Sequence, residues 1–234
     1  MRTIAIIPAR SGSKGLKDKN IKELCEKPLM AYAIENALKC QYIDCVMVST
    51  DSEKYAEIAQ KYGAEVPFLR SELLASDTAK TLDVIYEVID EYEKRGEKFD
   101  VVVLLQPTSP LCTTHNLNEA FEMLYNRKAD SIVSVCECEH SPLLSNVLGA
   151  DLNLHHFVKD YSDTRRQDMS TFYRLNGAIY ISKIERLKQM KSFYGEKSYA
   201  YIMKTEESVD IDSEIDFVIA EALLKRRSKF KTKR

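Results

Sequence analysis

Several familiar signatures are missing from this 234-residue chain. It holds no Gly-x-x-x-x-Gly-Lys-Ser/Thr run, which removes a Walker-type phosphate loop, and no Gly-x-Gly-x-x-Gly, which removes a Rossmann dinucleotide fingerprint. Its six cysteines (Cys25, Cys40, Cys45, Cys112, Cys136, Cys138) contain no Cys-x-x-Cys pair. Cys136 and Cys138 would share one face of a strand, but with only His140 nearby a zinc site is not indicated. Neither a long apolar run nor a signal-like amino terminus is present, so the expectation is a cytoplasmic protein with reduced thiols and no membrane partner. The formal net charge of -2 argues against nucleic acid as a partner.

Positive charge is instead placed locally. An apolar run, Thr3-Ile4-Ala5-Ile6-Ile7, breaks at Pro8 into Ala9-Arg10-Ser11-Gly12-Ser13-Lys14-Gly15, followed by Lys17, Lys19 and Asn20. The two glycines allow main-chain N–H groups to approach an anion closely, and four cationic side chains surround them. That combination suits a polyphosphate.

Composition, 44% hydrophobic and 30% charged, fits one large α/β core spanning 1–234. The periodicity predicts helices over Pro28–Lys39, from Asp51-Ser52 to about Tyr62, from a cap at Asp77 or Thr78 to about Arg95, over Asn116–Arg127, over Lys183–Met190 and from Glu214 to about Lys225. Strands are expected at Thr3–Ile7, Cys45–Thr50, Glu65–Phe68, Phe99–Leu105, Ser131–Val135, after an Asn176-Gly177 turn, and at Ala200–Met203. Phe99–Leu105 is continuously apolar, as central parallel strands are, and ends in Gln106-Pro107-Thr108-Ser109-Pro110. Alternating strands and helices predict a three-layer, doubly wound α/β fold with a mostly parallel sheet, in which Arg10, Gln106 and Ser49 or Asp51 face one crevice. Between Glu139 and Thr171 the rhythm fails, so 139–171 is expected to be an inserted flap or oligomerisation arm. The basic run from Lys225 to Arg234 is expected to be a frayed, solvated tail. In Ser208-Val209-Asp210-Ile211-Asp212 an extended chain would put both carboxylates on one face, an arrangement that fits Mg²⁺ held between protein and phosphates.

Six blocks together resemble the N-acylneuraminate cytidylyltransferases, the CMP-sialic acid synthetases, over essentially the whole chain. They are Ile7–Gly15 with Lys19-Asn20, Val48–Asp51, Leu74–Thr78, Leu104–Leu111, Arg174–Tyr180 and Asp210-Ile211-Asp212. The resemblance implies a nucleotide-diphospho-sugar transferase-like fold with a small dimerisation extension. It also implies attack by the anomeric hydroxyl of a nine-carbon 2-keto-3-deoxy sugar acid on the α-phosphate of CTP. Arg10, Lys19 and Asp212 would carry catalysis, and Ala9, Arg10, Ser13, Lys19, Asn20, Arg70 and Asp77 would bind the nucleotide. Gln106, Arg166 and Arg174 would hold the sugar acid, and Asp210 with Asp212 would hold Mg²⁺, or Mn²⁺ in its place. A homodimer, in which the inserted segment is exchanged and Arg166 completes the neighbouring site, is implied too. Leu144 departs from the lysine that sialic acid enzymes often carry two residues past the proline of Glu139-His140-Ser141-Pro142, which leaves room for legionaminic or pseudaminic acid. A CMP-Kdo-type synthetase and a sugar-nucleotide-binding homologue without turnover are the alternatives.

Overall fold

The computed structural model describes residues 1–12, 15–76, 78–155, 157–158 and 170–231. In chain order its elements are β1 (Thr3–Pro8), a hairpin of β2 (Glu23–Leu24) and β3 (Lys27–Pro28), α1 (Leu29–Leu38), β4 (Cys45–Ser49), α2 (Glu53–Lys61), α3 (Thr81–Lys94), β5 (Val101–Leu105), α4 (Thr114–Asn126), β6 (Ser131–Glu137), β7 (Tyr173–Lys183), α5 (Ile184–Met190), β8 (Ser198–Met203) and α6 (Glu214–Lys231). The main sheet runs β4-β1-β5-β7-β6-β8, and β7 alone is antiparallel to its neighbours.

Both faces of this sheet are apolar around β1, β4 and β5, whose sequences are nearly continuous hydrophobic runs. Ala5, Ile7, Val46, Val48 and Val103 pack with α1, α2 and α4, while Ile4, Ile6, Met47, Val102 and Leu104 pack with α3 and α5. The three layers are therefore those expected. Each fully buried Val, Leu or Ile contributes roughly 1.5–3 kcal/mol, so these layers outweigh any single polar contact at the sheet edge. Side chains at the strand ends can then serve a ligand without deciding the fold. A third cluster of Leu24, Leu29, Leu111, Ile211, Phe217 and Ala220 fastens α6 to the β2–β3 hairpin and buries Ile211 between its two acidic neighbours.

Several local expectations are corrected. Glu65 makes only an isolated bridge to Met47 rather than a strand, since Pro67 cannot donate to a ladder. The long helix starts at Thr81 with Lys80 as its N-cap, so Thr78 does not cap it; Asp77 lies outside the described residues, and residues 72–75 form turns before the helix. Ser52 is the N-cap of α2 but makes no side-chain cap bond, and the Asp51 carboxylate accepts from Ser11 instead of capping the helix. Helix α4 begins at Thr114, two residues earlier than predicted, behind a capping box of Thr113 and Asn116. The basic tail is helical through Lys231, and Arg227 donates to the Leu111 carbonyl oxygen (3.1 Å) beside Glu207. Residues 232–234 lie outside the described part. Asn176-Gly177 is not a turn leading into a strand but lies inside β7. Where β6 advances two residues, from Val133 to Val135, β7 advances five, from Tyr180 to Leu175. Gly177 takes φ +76 in this bulge, a conformation that side chains disfavour.

The β2–β3 hairpin turns on Cys25 (φ 49) and Glu26 (φ 65), both left-handed and neither a glycine or asparagine. Such positions cost roughly 1–2 kcal/mol per residue. Replacing the pair by Asn-Gly is expected to stabilise the protein by about 1 kcal/mol, seen as a melting temperature higher by about 2–4 °C in calorimetry. An unchanged or lower transition would refute the strain.

Candidate functional site

A cleft of about 560 Å³ opens at the carboxyl ends of β1 and β5, and Arg10, Lys19, Asn20, Arg70, Gln106 and Asp212 line it. The chain crosses from β1 to β4 on one side and returns to β5 on the other, so this is where the strand order reverses and a crevice is left by topology. Sequence spacing alone anticipated Arg10 and Gln106 here.

The described residues on either side of 13–14 in the loop after β1 are held by several side chains. Ser11 donates to the Asp51 carboxylate from both its amide and its hydroxyl (each 2.7 Å). Burial raises the Asp51 pKa, but these two donors, with the Asp51 amide and the Arg70 charge, together outweigh it and hold the carboxyl below its ordinary range. Tyr55 donates to Asp18 (3.0 Å), and the buried Asn20 amide donates to the Arg10 carbonyl oxygen (3.1 Å). Gly15 sits so close to the Asp212 carbonyl oxygen that a Cβ would stand 2.8 Å from it. Lys19 donates to the Ile211 carbonyl oxygen (2.8 Å) and to the Asp212 carboxylate (3.0 Å). One cation therefore joins the basic loop to the acidic segment almost two hundred residues away.

Ser49 and Asp51 sit behind the cleft wall instead of facing into the cleft. Arg70 is buried and donates to the Ser49 hydroxyl (2.9 Å) and carbonyl oxygen (2.6 Å), which aims the guanidinium from the end of β4. Burial lowers its pKa, and Asp51 and Glu87 oppose that shift. Ala9 is fully buried and its amide is used on the Ser49 carbonyl oxygen, so of its backbone groups only the carbonyl is left for a ligand.

Asp210 and Asp212 are not equivalent. No strand forms here, yet burial of Ile211 and its amide bond to the Thr108 carbonyl oxygen (2.9 Å) hold the pair at the cleft's edge. Asp212 is open to solvent, with its side chain 79% exposed. Asp210 is half-buried and its Oδ1 is fully buried without a hydrogen-bond partner. Burial, then the nearby Asp212 charge, push its pKa up against the opposing effects of Thr108, Lys19 and Arg174. A buried carboxylate oxygen lacking a donor is suited to a cation. Among the described residues no three His, Cys, Asp or Glu converge into a metal cage, so a cation held here would complete its shell from substrate oxygens and water. A hard cation fits that donor set.

The bulge in β7 supplies a part of the site that sequence reasoning missed. A Cβ on Gly177 would stand 3.0 Å from Gln106 Oε1 and 3.4 Å from Asp210 Oδ2. Glycine thus lets Gln106 and Asp210 approach the same stretch of backbone. The signal was present as Asn176-Gly177, but a bulge and a turn share that chemistry. Arg174 is exposed further along β7, within electrostatic reach of Asp210. Ser13, Asp77 and Arg166 lie outside the described residues. Among the described residues, no helix is long and apolar enough to cross a membrane.

Comparison with known proteins bears on the family and the fold. An N-acylneuraminate cytidylyltransferase of Escherichia coli is 39% identical over 99% of this chain, which spans 54% of that protein's length. A CMP-N,N'-diacetyllegionaminic acid synthase of Legionella pneumophila is 37% identical over 96% of this chain and 97% of its own. The solved structure of a CMP:2-keto-3-deoxy-manno-octonic acid synthetase complexed with CTP superposes with a TM-score of 0.71, covering 97% of this chain and all of that one at 16% identity, which bears on the fold. The sequence pattern of the cytidylyltransferases matches residues 4–146, the segment that builds β1, β4, β5 and all of the cleft's lining except Asp212, and the chain belongs to that family.

Proposed function

We propose that this enzyme transfers the cytidylyl group of CTP to an acidic nine-carbon 2-keto-3-deoxy sugar. The anomeric hydroxyl oxygen forms a bond to the α-phosphorus, the bond from that phosphorus to the bridging oxygen breaks, and pyrophosphate leaves with the electron pair. The hydroxyl proton passes to solvent. Such a reaction asks the protein for positioning and for charge placed in advance. The observation that carries the proposal is one cleft lined by Arg10, Lys19 and Asp212, with the half-buried Asp210, whose Oδ1 is sealed off without a partner, two residues from Asp212.

Arg10 and Lys19 would face the triphosphate and offset charge on the leaving pyrophosphate, assisted by Ser13. Lys19 is already oriented by Ile211 and Asp212. Asn20, Arg70 and Asp77, with the Ala9 carbonyl, would form the nucleotide's surroundings. Asp210 and Asp212 would hold Mg²⁺, or Mn²⁺ in its place, which when bound supplies charge neutralisation at the α-phosphate. Gln106 and Arg174 would meet the sugar acid, with Arg166 as the second carboxylate partner.

Two features support a homodimer. Val147 (90% exposed), Leu152 and Leu154 lie bare on the segment after β6, and Tyr173, Leu175 and Ile202 are exposed on adjoining strands. Sedimentation should give twice the chain mass if those residues are covered by a second copy. The six free thiols suit a cytoplasmic setting.

Pyrophosphate release with CTP and Mg²⁺ tests the reaction directly, using N-acetylneuraminic, N,N'-diacetyllegionaminic, pseudaminic and Kdo acids with ATP, GTP and UTP as controls. One preferred nine-carbon acid with CTP supports the proposal; preference for Kdo or silence with all four overturns it. Arg70→Met removes a guanidinium held by two bonds to Ser49, and KM for CTP should rise about tenfold, equal to about 1.4 kcal/mol. If only the sugar acid's KM moved, Arg70 would belong to the other substrate.

A further inference from the structure

Behind the β7 bulge lies a closed polar network in an otherwise apolar layer. Asn176 is 1% exposed, and Ser134 and Ser208 are fully buried. The Ser134 hydroxyl donates to Asn176 Oδ1 (2.6 Å) and accepts from the Ile179 amide (2.8 Å), which pins the bulge to β6. Asn176 Oδ1 also accepts from the Ala178 amide (3.3 Å). On the other side Asn176 Nδ2 donates to the Ser208 hydroxyl (2.9 Å) and towards Met203 Sδ (3.3 Å). The Ser208 hydroxyl in turn donates to the Lys204 carbonyl oxygen (2.8 Å). Every donor and acceptor of the three side chains has a partner, and such a buried network rigidifies what it joins.

What it joins is informative. Gly177, next to Asn176, packs against Gln106 Oε1 and Asp210 Oδ2, and Ser208 stands two residues before Asp210. We infer that Asn176 is a positioning residue of the site, whose side-chain amide ties the β7 bulge to Ser208 and so sets where Asp210 stands relative to Gln106. Asp210 Oδ1 has no hydrogen bond of its own, so the placement of its segment by Ser208 adds to what Thr108 gives the carboxylate. The consequence for turnover rests on the metal role proposed above; the positioning itself rests on the hydrogen bonds.

The test compares Ser208→Ala with Ser131→Ala. Ser131 is an equally buried serine on β6 whose hydroxyl donates to the Phe193 carbonyl oxygen (2.6 Å), outside the network. Hydrogen exchange of the Ile211 amide, which donates to the Thr108 carbonyl oxygen, reports the acidic segment without any ligand. Ser208→Ala should speed it about tenfold, and Ser131→Ala should leave it as in the parent. With CTP present and no sugar acid, Mn²⁺ is then titrated against the melting temperature. Ser208→Ala should need about tenfold more Mn²⁺ for half of the shift, while CTP affinity in EDTA stays within twofold. Equal exchange in both variants, or a change in Ser131→Ala as large as in Ser208→Ala, overturns the inference. If the parent protein shows no Mn²⁺-dependent shift, the metal assignment fails, and the exchange result still decides the positioning.

Discussion

Asp210→Asn is expected to abolish most turnover while making the protein more stable. The carboxylate is half-buried, and its Oδ1 is sealed from water without a donor. An unpartnered buried polar group costs about 1–3 kcal/mol, and more when charged. Replacing the charge by an amide should return on the order of 1 kcal/mol, a melting temperature higher by about 2–4 °C for a chain of this size. The sign of the pH dependence follows from the raised pKa. A carboxyl whose folded pKa lies above its unfolded value destabilises the fold when ionised, so the penalty is absent below the ordinary value of 3.8, grows as pH rises towards the folded pKa, and is constant above it. The gain from Asp210→Asn should therefore vanish in acid and be full at neutral pH. Turnover, by contrast, loses the proposed metal ligand, to which several kcal/mol of transition-state stabilisation are assigned, and kcat should fall at least about a hundredfold. Calorimetry between pH 3 and 8 beside pyrophosphate release would check both halves. Lower stability at pH 7 together with intact activity would mean that Asp210 is a structural residue.

For Gly177→Ala the expected loss falls on the sugar acid. The new methyl group would stand 3.0 Å from Gln106 Oε1, the end of a flexible side chain that can swing away, and 3.4 Å from Asp210 Oδ2. Steric relief is thus cheap in energy and costly in geometry, because the group that moves is the one proposed to face the sugar. Misplacement of a positioning group by about 1 Å can lower a rate by about a hundredfold. We expect kcat/KM for the sugar acid to fall ten- to a hundredfold, with KM for CTP within about twofold. The left-handed backbone adds about 1–2 kcal/mol of strain, or a few degrees in melting temperature. Equal loss for both substrates would place the effect in the fold as a whole.

These residues show why some of the site was readable in the chain and some was not. Arg10, Lys19 and Asn20 follow an apolar strand in a glycine-bearing loop, and Gln106 follows the most apolar strand; such features are local, and strand ends face a crevice in any doubly wound sheet. Ile211 between two aspartates was legible for the same reason, since a buried residue flanked by carboxylates is a pattern of neighbours. The roles of Ser49, Asp51 and Ser11 were not, because an oxygen at a strand end can face a ligand or a neighbour, and only the position of Arg70 and of the loop decides which.

Composition and periodicity by themselves determined the layer architecture, the mostly parallel sheet, the basic loop after β1 and the acidic segment near α6. Hydrophobic burial follows side-chain type and spacing, which the chain carries in order. Tertiary structure decided that Lys19 reaches Asp212, that Asn176-Gly177 is a bulge and not a turn, that Asp210 is half-buried while Asp212 is exposed, and that the last helix continues into the basic tail to dock Arg227. Each of these depends on which distant backbone lies alongside, and hydrogen bonding and desolvation act only across that distance.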